Sequence, residues 1–372
     1  MKNTKICLNA MVGNEAATIQ RMLDSVVKHI DYYVVQCNGN DETREIIDNF
    51  FQSNGIPGFT YFVEWNYPGW NRDHTLQEAL KADHGCDWIL RMDADEQLRV
   101  EEDFDWSILD DTSVESWNIV ADPGNSLYFR TWMWNAKLPW FFQHDKRHET
   151  IHLPDRGESF QRVNLPKSFR QIITNDGDTW LAPMKFITDG LTLELDKVPT
   201  NLVLEDYYHL WYIAKSYHDG YRDVDNLPFG KDHSDEYARR VIFYFKQYLN
   251  QLHGFESRQH PKSHDDMGYY ACILISEAYE WLGEYDKQLY FLQKASAFNP
   301  RRNEHFIKLA FYYQRRKQWE NMIYVTQILV NPERKNPFPD YSFLIENNAY
   351  WDTGNLCKEL HEIATNGLNS QV

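Results

Sequence analysis

Short apolar runs alternate with amphipathic stretches along the first hundred residues. Ile6 to Val12 is strand-like and breaks at Gly13-Asn14-Glu15. Thr18 to Ile30 follows, with Ile19, Met22, Leu23, Val26, Val27 and Ile30 on one helical face. Tyr32 to Val35 reads as a second strand, broken by Asn38-Gly39-Asn40, and Thr43 to Phe51 as a second helix. A third strand at Phe59 to Val63, a helix at Asn71 to Ala82 and a fourth strand at Trp88 to Met92 complete the series. Strands alternating with helices predict an α/β fold, a mostly parallel sheet flanked by helices. Residues from about 115 to about 215 are less regular and rich in Trp, Pro and His, with strand-like pieces at Phe186 to Thr188 and Leu202 to Leu204.

From Ser234 the character changes. Tyr237 to Leu252 is strongly helical, and the last hundred residues read as helical hairpins. Tyr285 and Trp319, Gly283 and Lys317, and Leu289 and Ile323 recur at the same offset, about 34 residues. Phe298-Asn299-Pro300 and Val330-Asn331-Pro332 close the two units. The Ala278-Tyr279…Leu282-Gly283…Tyr285 pattern resembles a tetratricopeptide repeat, with Ala349-Tyr350…Gly354 as a degenerate third unit. The competing reading is an unrelated helical bundle. The expected organisation is a first domain over 1–215, a helical connector over 216–266 and all-α helical repeats over 267–372.

Chemistry enters at Asp93-Ala94-Asp95-Glu96, directly after the fourth strand. Ligands of open α/β sheets collect at the carboxyl ends of strands. Two carboxylates there can hold a hard cation that shares its oxygen ligands with substrate phosphates. Spacing alone is weak evidence, since Asp103/Asp105, Asp176/Asp178 and Asp223/Asp225 repeat it in an acidic chain. Its position after a strand sets Asp93/Asp95 apart. The glycine-rich signatures of phosphate-binding and dinucleotide-binding loops are missing from the sequence.

The segment from Ile6 to Glu96 resembles the nucleotide-sugar glycosyltransferases of the GT-A fold, family 2, of the type with a C-terminal tetratricopeptide-like region. Asn14-Glu15 stands in the loop after the first strand, Cys37-Asn38-Gly39-Asn40-Asp41-Glu42-Thr43 after the second, and Trp70-Asn71-Arg72-Asp73 before the Asp-Ala-Asp-Glu strand. Arg147-His148-Glu149-Thr150 resembles the family's acceptor-side His-Glu pair, and Tyr207-Tyr208-His209-Leu210-Trp211 its later metal-binding His after a strand. One departure is Gln36, where the family usually has an Asp that contacts the base; its amide both donates and accepts, so it could still pair with uracil.

The resemblance implies a metal-dependent, inverting transfer of a hexose or pentose from a nucleoside diphosphate, with UDP ahead of other nucleotides. Asp95 is the expected direct metal ligand, Asp93 reaches ribose or a metal-bound water, and His209 supplies a further ligand; Mn²⁺ suits mixed oxygen and nitrogen donors better than Mg²⁺. Glu149 is the expected general base, with His148 orienting it or contacting phosphate, and Asp145 and Asp189 as runners-up. Arg72 is placed on the diphosphate or donor sugar, and Asn14, Glu15, Gln36, Asn38 and Asp41 around the donor. Trp70, Trp132, Trp134 and Trp140 are candidates for ring stacking, one or two of them in use. Each has a plainer reading: a core histidine for His209, an exposed charge for Glu149, a helix-end surface residue for Arg72, turn chemistry for Asn38 and Asp41, helix capping for Glu15.

Composition narrows the partners. The 372 residues are 42% apolar and 25% charged, ordinary for a globular protein, and carry a net charge of −17. That balance gives no general attraction to nucleic acid or anionic membranes, although Lys146-Arg147, Arg239-Arg240 and Arg315-Arg316-Lys317 leave local basic spots. Five scattered Cys without a Cys-x-x-Cys fit reduced thiols, the start is too short for a signal peptide, and no run is long enough to span a bilayer. The expected location is cytoplasmic. The acceptor is left open among a glycan, a protein and a modified DNA base, with a protein partner possible at the repeats. Two other classes compete: a peptide-binding repeat module with an inactive transferase half, and a nucleotidyltransferase. Clustered like charges at Asp93 and Asp95 argue against the first, because they destabilise a fold that has no cation to balance them.

Overall fold

The computed structural model describes residues 3–124, 127–143, 150–174, 185–197, 207–222, 233–254, 261–300, 302–331 and 354–370. Two compact units divide the chain, Met1–Ala182 and Pro183–Val372.

The first unit is built on β1 (Ile6–Val12), β2 (Tyr32–Cys37), β3 (Gly58–Phe62), β4 (Trp88–Met92), β5 (Glu96–Val100), β6 (Ser116–Asp122), β7 (Tyr128–Asn135), β8 (Phe141–Phe142), β9 (Ile151–His152), β10 (Arg162–Asn164) and β11 (Phe169–Ile173). Its helices are α1 (Ile19–Val26), α2 (Thr43–Ser53) and α3 (Pro68–Lys81). The main sheet runs β3-β2-β1-β4-β7-β6-β11-β5, with β10 beside β6. Strands β3, β2, β1 and β4 are parallel to their neighbours, and β7 enters antiparallel to β4.

Side-chain alternation gives the sheet two apolar faces. From β1, Ile6, Leu8, Ala10 and Val12 pack on one face, while Cys7 joins the other. Ile19, Met22, Leu23 and Val26 of α1 cover the first face at i, i+3, i+4 and i+7. Each is fully buried, which stabilises the fold by about 1.5–3 kcal/mol per side chain. Leu76 and Ala79 of α3 cover the second face with Ile89, Trp134 and Trp140. Parallel register aligns Val12 with Cys37 and Ala10 with Met92, so the loops after β1, β2 and β4 emerge at one edge.

The second unit is helical: α4 (Lys185–Lys197), α5 (Tyr207–Arg222), α6 (Ser234–Gly254), α7 (Pro261–Trp281), α8 (Tyr285–Phe298), α9 (Glu304–Arg315), α10 (Trp319–Leu329) and α11 (Gly354–Asn369). Phe186 to Thr188, expected as a strand, lies in α4, whose Ile187 and Leu193 are buried among helices. A three-residue apolar run carries no period that separates strand from helix. Tyr207 to Trp211, also expected beside a strand, opens α5. Both helices pack within the second unit, which begins at Pro183, whereas the expected boundary at 215 falls inside α5. Leu202 to Leu204 lies outside the described residues.

The expected recurrence at about 34 residues is visible in the backbone. Gly283 and Lys317, the residues before the second helix of each hairpin turn, have φ of +70° and +54°. Glu284 N–H donates to the Tyr279 carbonyl and Gln318 N–H to that of Tyr313, both at 2.9 Å. A polar cluster joins α5, α7 and α9: His218 Nε2 lies 2.6 Å from Glu277, which also pairs with Lys308.

Candidate active site

The loops after β1 and β2 are locked to each other by short polar side chains. Asn14 Oδ1 accepts from Asn40 N–H at 2.9 Å. Asp41 accepts from Ala16 N–H and Thr43 N–H, both at 3.1 Å. Burial opposes it, but these hydrogen bonds hold the Asp41 carboxyl below its usual range. Thr43 Oγ1 in turn accepts from Glu15 N–H at 2.8 Å. Glu15 also accepts from Thr18 Oγ1 at 2.6 Å, and its carbonyl takes Thr18 N–H and Ile19 N–H, so it caps α1. Gly39 lies where a Cβ would sit 2.5 Å from the Gly13 carbonyl oxygen. The two loops approach closely because position 39 has no side chain.

Gln36, at the end of β2, differs from its expected role. It is fully buried, not facing a base. Its Nε2 donates to Asn38 Oδ1 at 2.9 Å and Asn71 Oδ1 at 2.8 Å, while its Oε1 accepts from Thr75 Oγ1 at 2.8 Å. Both donors and the acceptor are thus spent inside the fold, tying β2 to α3. Asn38 itself donates to the Val63 carbonyl.

At the end of β4 the chain turns sharply between Asp93 and Glu96. Asp93 N–H donates to Glu96 Oε2 at 3.1 Å, and Glu96 N–H returns to the Asp93 carbonyl at 3.1 Å. Thr174 clamps the turn from the end of β11, its Oγ1 donating to the Asp95 carbonyl at 2.5 Å. Arg21 of α1 donates to the same hydroxyl at 3.0 Å. Asp95 is nearly enclosed, whereas Asp93 keeps about 30% of its side chain exposed.

Three guanidinium groups surround these carboxylates. Arg72 of α3 reaches Asp93 Oδ1 at 3.0 Å, and Arg91 of β4 lies 3.9 Å from Asp93 Oδ2. Burial works to raise the Asp93 carboxyl, but Arg72 and Arg91, with help from Arg130, hold it down at about 2. Arg72 therefore meets Asp93 inside the protein instead of standing alone as a phosphate fork. Arg130 of β7 pairs with the buried Glu96 at 2.6 Å. Burial and the Asp93 charge nevertheless push Glu96 up to about 7.

The aromatic candidates separate by burial. Trp134 and Trp140 are buried core residues, although Trp134 borders the cavity beside Trp132. Trp70 is half-buried and stacks on His74, with centroids 5.0 Å apart. Trp132 is half-buried, with the guanidinium carbons of Arg91 and Arg130 at 4.1 and 4.2 Å from its ring centre. Beside it, Arg91, Arg130, Arg162, Trp132, Phe142 and Glu158 help to line a cavity of about 240 Å³.

The sequence reading did not single out Arg91, Arg130 or Arg162. Arg91 was the legible one: an arginine inside an apolar strand, two residues from a carboxylate, asks for a partner.

Asp145, His148 and Glu149 lie outside the described residues, as does the side chain of His209, which sits in the first turn of α5. The runner-up Asp189 is on α4, in an ion pair with Lys185 at 2.9 Å. Among the described residues no cluster of three or more His, Cys, Asp or Glu side chains could hold a metal ion. No described helix is long and apolar enough to cross a membrane.

Residues 11–103 match the family model for glycosyl transferase family 2, a window that contains Asn14, Gln36, Arg72, Asp93 and Asp95. No match was found among curated proteins. Among solved structures, a MamA RS-1 ArsTM double mutant aligns at 12% identity over 50% of this chain and 87% of that chain, with a TM-score of 0.17, too low to carry an argument. The sheet order, the loops gathered at one edge of it and the matched window agree: residues 11–103 carry the glycosyl transferase family 2 signature, within a GT-A-type first unit that a helical unit follows.

Proposed function

We propose that the chain transfers a sugar from a uridine diphosphate donor to an acceptor hydroxyl, with inversion and with a divalent cation bound. The observation that supports this most is the Asp93–Glu96 turn. It sets two carboxylates at the carboxyl end of β4, beside the interlocked loops after β1 and β2. Those loops offer the donor side, with Asn14 and Asp41 exposed on them and Asn38 half-buried between Gln36 and Val63.

Asp95 and Asp93 fit a hard cation. Asp93 is ionised at neutral pH, and magnesium- and manganese-type sites commonly use one or two carboxylates and take the remaining oxygens from substrate phosphates and water. A third protein ligand among the described residues is not required by that chemistry. Asp95 is the proposed direct ligand, and Asp93, which Arg72 and Arg91 engage, the proposed partner of ribose or bound water. When bound, the cation would act as a Lewis acid that offsets the charge growing on the leaving diphosphate.

The protein's own groups do the rest. Asp93 and Glu96 hold Arg72, Arg91 and Arg130 in place, so positive charge is preorganised beside the phosphates. Glu149 is proposed to take the proton from the acceptor hydroxyl as it attacks the anomeric carbon, with His148 orienting it. Hydrolysis of UDP-sugars, followed as released UDP with Mn²⁺ or with EDTA, tests this reading. Asp95→Asn should abolish the Mn²⁺-dependent release. Glu149→Gln should lower transfer by about 10²–10⁴-fold and leave donor binding in place. Release that persists in EDTA at the full rate would exclude the metal-dependent mechanism.

A further inference from the structure

We propose that the cavity between β4, β7 and β10 is an acceptor subsite for a saccharide ring that carries an anionic group. This deepens the glycosyltransferase reading and rests on it.

The sheet order supplies the first argument. Asp93 ends β4, with β1, β2 and the donor loops on one side and β7 on the other. The cavity lies on the β7 side, so a molecule in it faces the donor across Asp93. Its size, about 240 Å³, suits one sugar ring.

The lining supplies the second. Trp132 and Phe142 give aromatic surface, and sugar rings pack their C–H faces on such surfaces. Arg91, Arg130 and Arg162 bring three guanidinium groups to one cavity in a chain of net charge −17. Glu158 is the one carboxylate among the described lining residues. It lies 3.6 Å from His152. Arg91 and Arg130 are fixed from behind by Asp93 and Glu96, which positions them without filling the cavity. Arg162 is different: it is exposed at the rim, stacks on Phe160 at 3.9 Å, and feels the charge of Glu158 in the same lining without forming an ion pair with it. A guanidinium fork of this kind matches the geometry of a carboxylate or a phosphate. A neutral sugar would need no such cluster.

Calorimetric titration of the full chain with glucose, glucuronate and glucose 6-phosphate tests the assignment. Glucuronate, glucose 6-phosphate or both should bind at least ten-fold more tightly than glucose, and the pair separates a carboxylate-bearing acceptor from a phosphate-bearing one. Arg162→Gln should reduce that preference to three-fold or less, and Arg162→Glu should reverse it. Arg162 is exposed, so both variants should keep the parent melting temperature. Equal binding of all three sugars, or a preference untouched by both Arg162 variants, overturns the subsite. No binding of any sugar by a protein that still releases UDP from its donor overturns the subsite alone. Loss of the donor reaction with the sugar preference intact overturns the transferase reading and leaves the anionic-sugar site standing.

Discussion

Arg130 shows how single residues are held in this site. Its guanidinium pairs with Glu96 at 2.6 Å and donates to the Tyr128 hydroxyl oxygen at 2.7 Å, while lying over Trp132. Glu96 is only 2% exposed, so removing the cation strands a buried carboxyl. Arg130→Gln should therefore destabilise the first unit by about 3 kcal/mol, and adding Glu96→Gln should recover at least half of that loss. Urea unfolding of the four proteins checks both numbers. Gly39 is the other sensitive position. Its Cβ would meet the Gly13 carbonyl at 2.5 Å, so Gly39→Ala should cost about 1–3 kcal/mol and lower the melting temperature, even though the new methyl is apolar and small. At this scale the sequence was partly legible. Asp93, Asp95 and Arg72 could be placed near one another from their order along alternating elements. That Gln36 faces inward could not, because its direction is set by Asn71 and Thr75, whose side chains come from a helix 35 or more residues away. Asn71 lay inside the quoted motif, yet nothing in the motif says which way it points.

Among elements, the paired turns before α8 and α10 give the cleanest experiment. Both adopt a left-handed backbone, one with glycine and the other with Lys317. A side chain there crowds the following carbonyl, at about 1–2 kcal/mol. Glycine also frees the unfolded chain, which offsets part of the gain. Lys317→Gly should then stabilise the helical unit by about 0.5–1 kcal/mol, and Gly283→Ala should destabilise it by about 1 kcal/mol, both read from thermal midpoints. The Gly283/Lys317 recurrence was visible in the sequence, because turn residues and apolar positions repeat together. The strands and helices from β1 to β4 were legible for a similar reason: each apolar run is short and ends at a turn residue. Phe186 to Thr188 and Tyr207 to Trp211 were not. Their apolar residues pack against helices, and aromatic, β-branched residues read as strand until that packing is known.

Across the whole molecule, pH should separate the two units' behaviour. Glu277 sits between His218 and Lys308. Burial opposes its charge, but Lys308 and His218 hold the carboxyl well below the usual range for glutamate. Its folded pKa is depressed, so its contribution to stability is complete above the unfolded value and is lost as pH falls toward the folded one. Glu277→Gln should cost about 3 kcal/mol at pH 7. The gap from the parent should close steadily as the pH drops below about 4.5. Fluorescence-detected unfolding from pH 7 to pH 2 measures that gap. The central proposal concerns the other unit, where Asp95 at the end of β4 would help to hold a divalent cation for a nucleoside diphosphate. Thermal melting of the parent and of Asp95→Asn with UDP, with Mn²⁺ and with both tests it most directly. A ligand held at 100 times its dissociation constant stabilises the folded state by about 2.7 kcal/mol. The parent should show a large upward shift only with UDP and Mn²⁺ together, and Asp95→Asn should show none. An equal shift in both proteins, or no shift in the parent with any nucleoside diphosphate, would contradict the account.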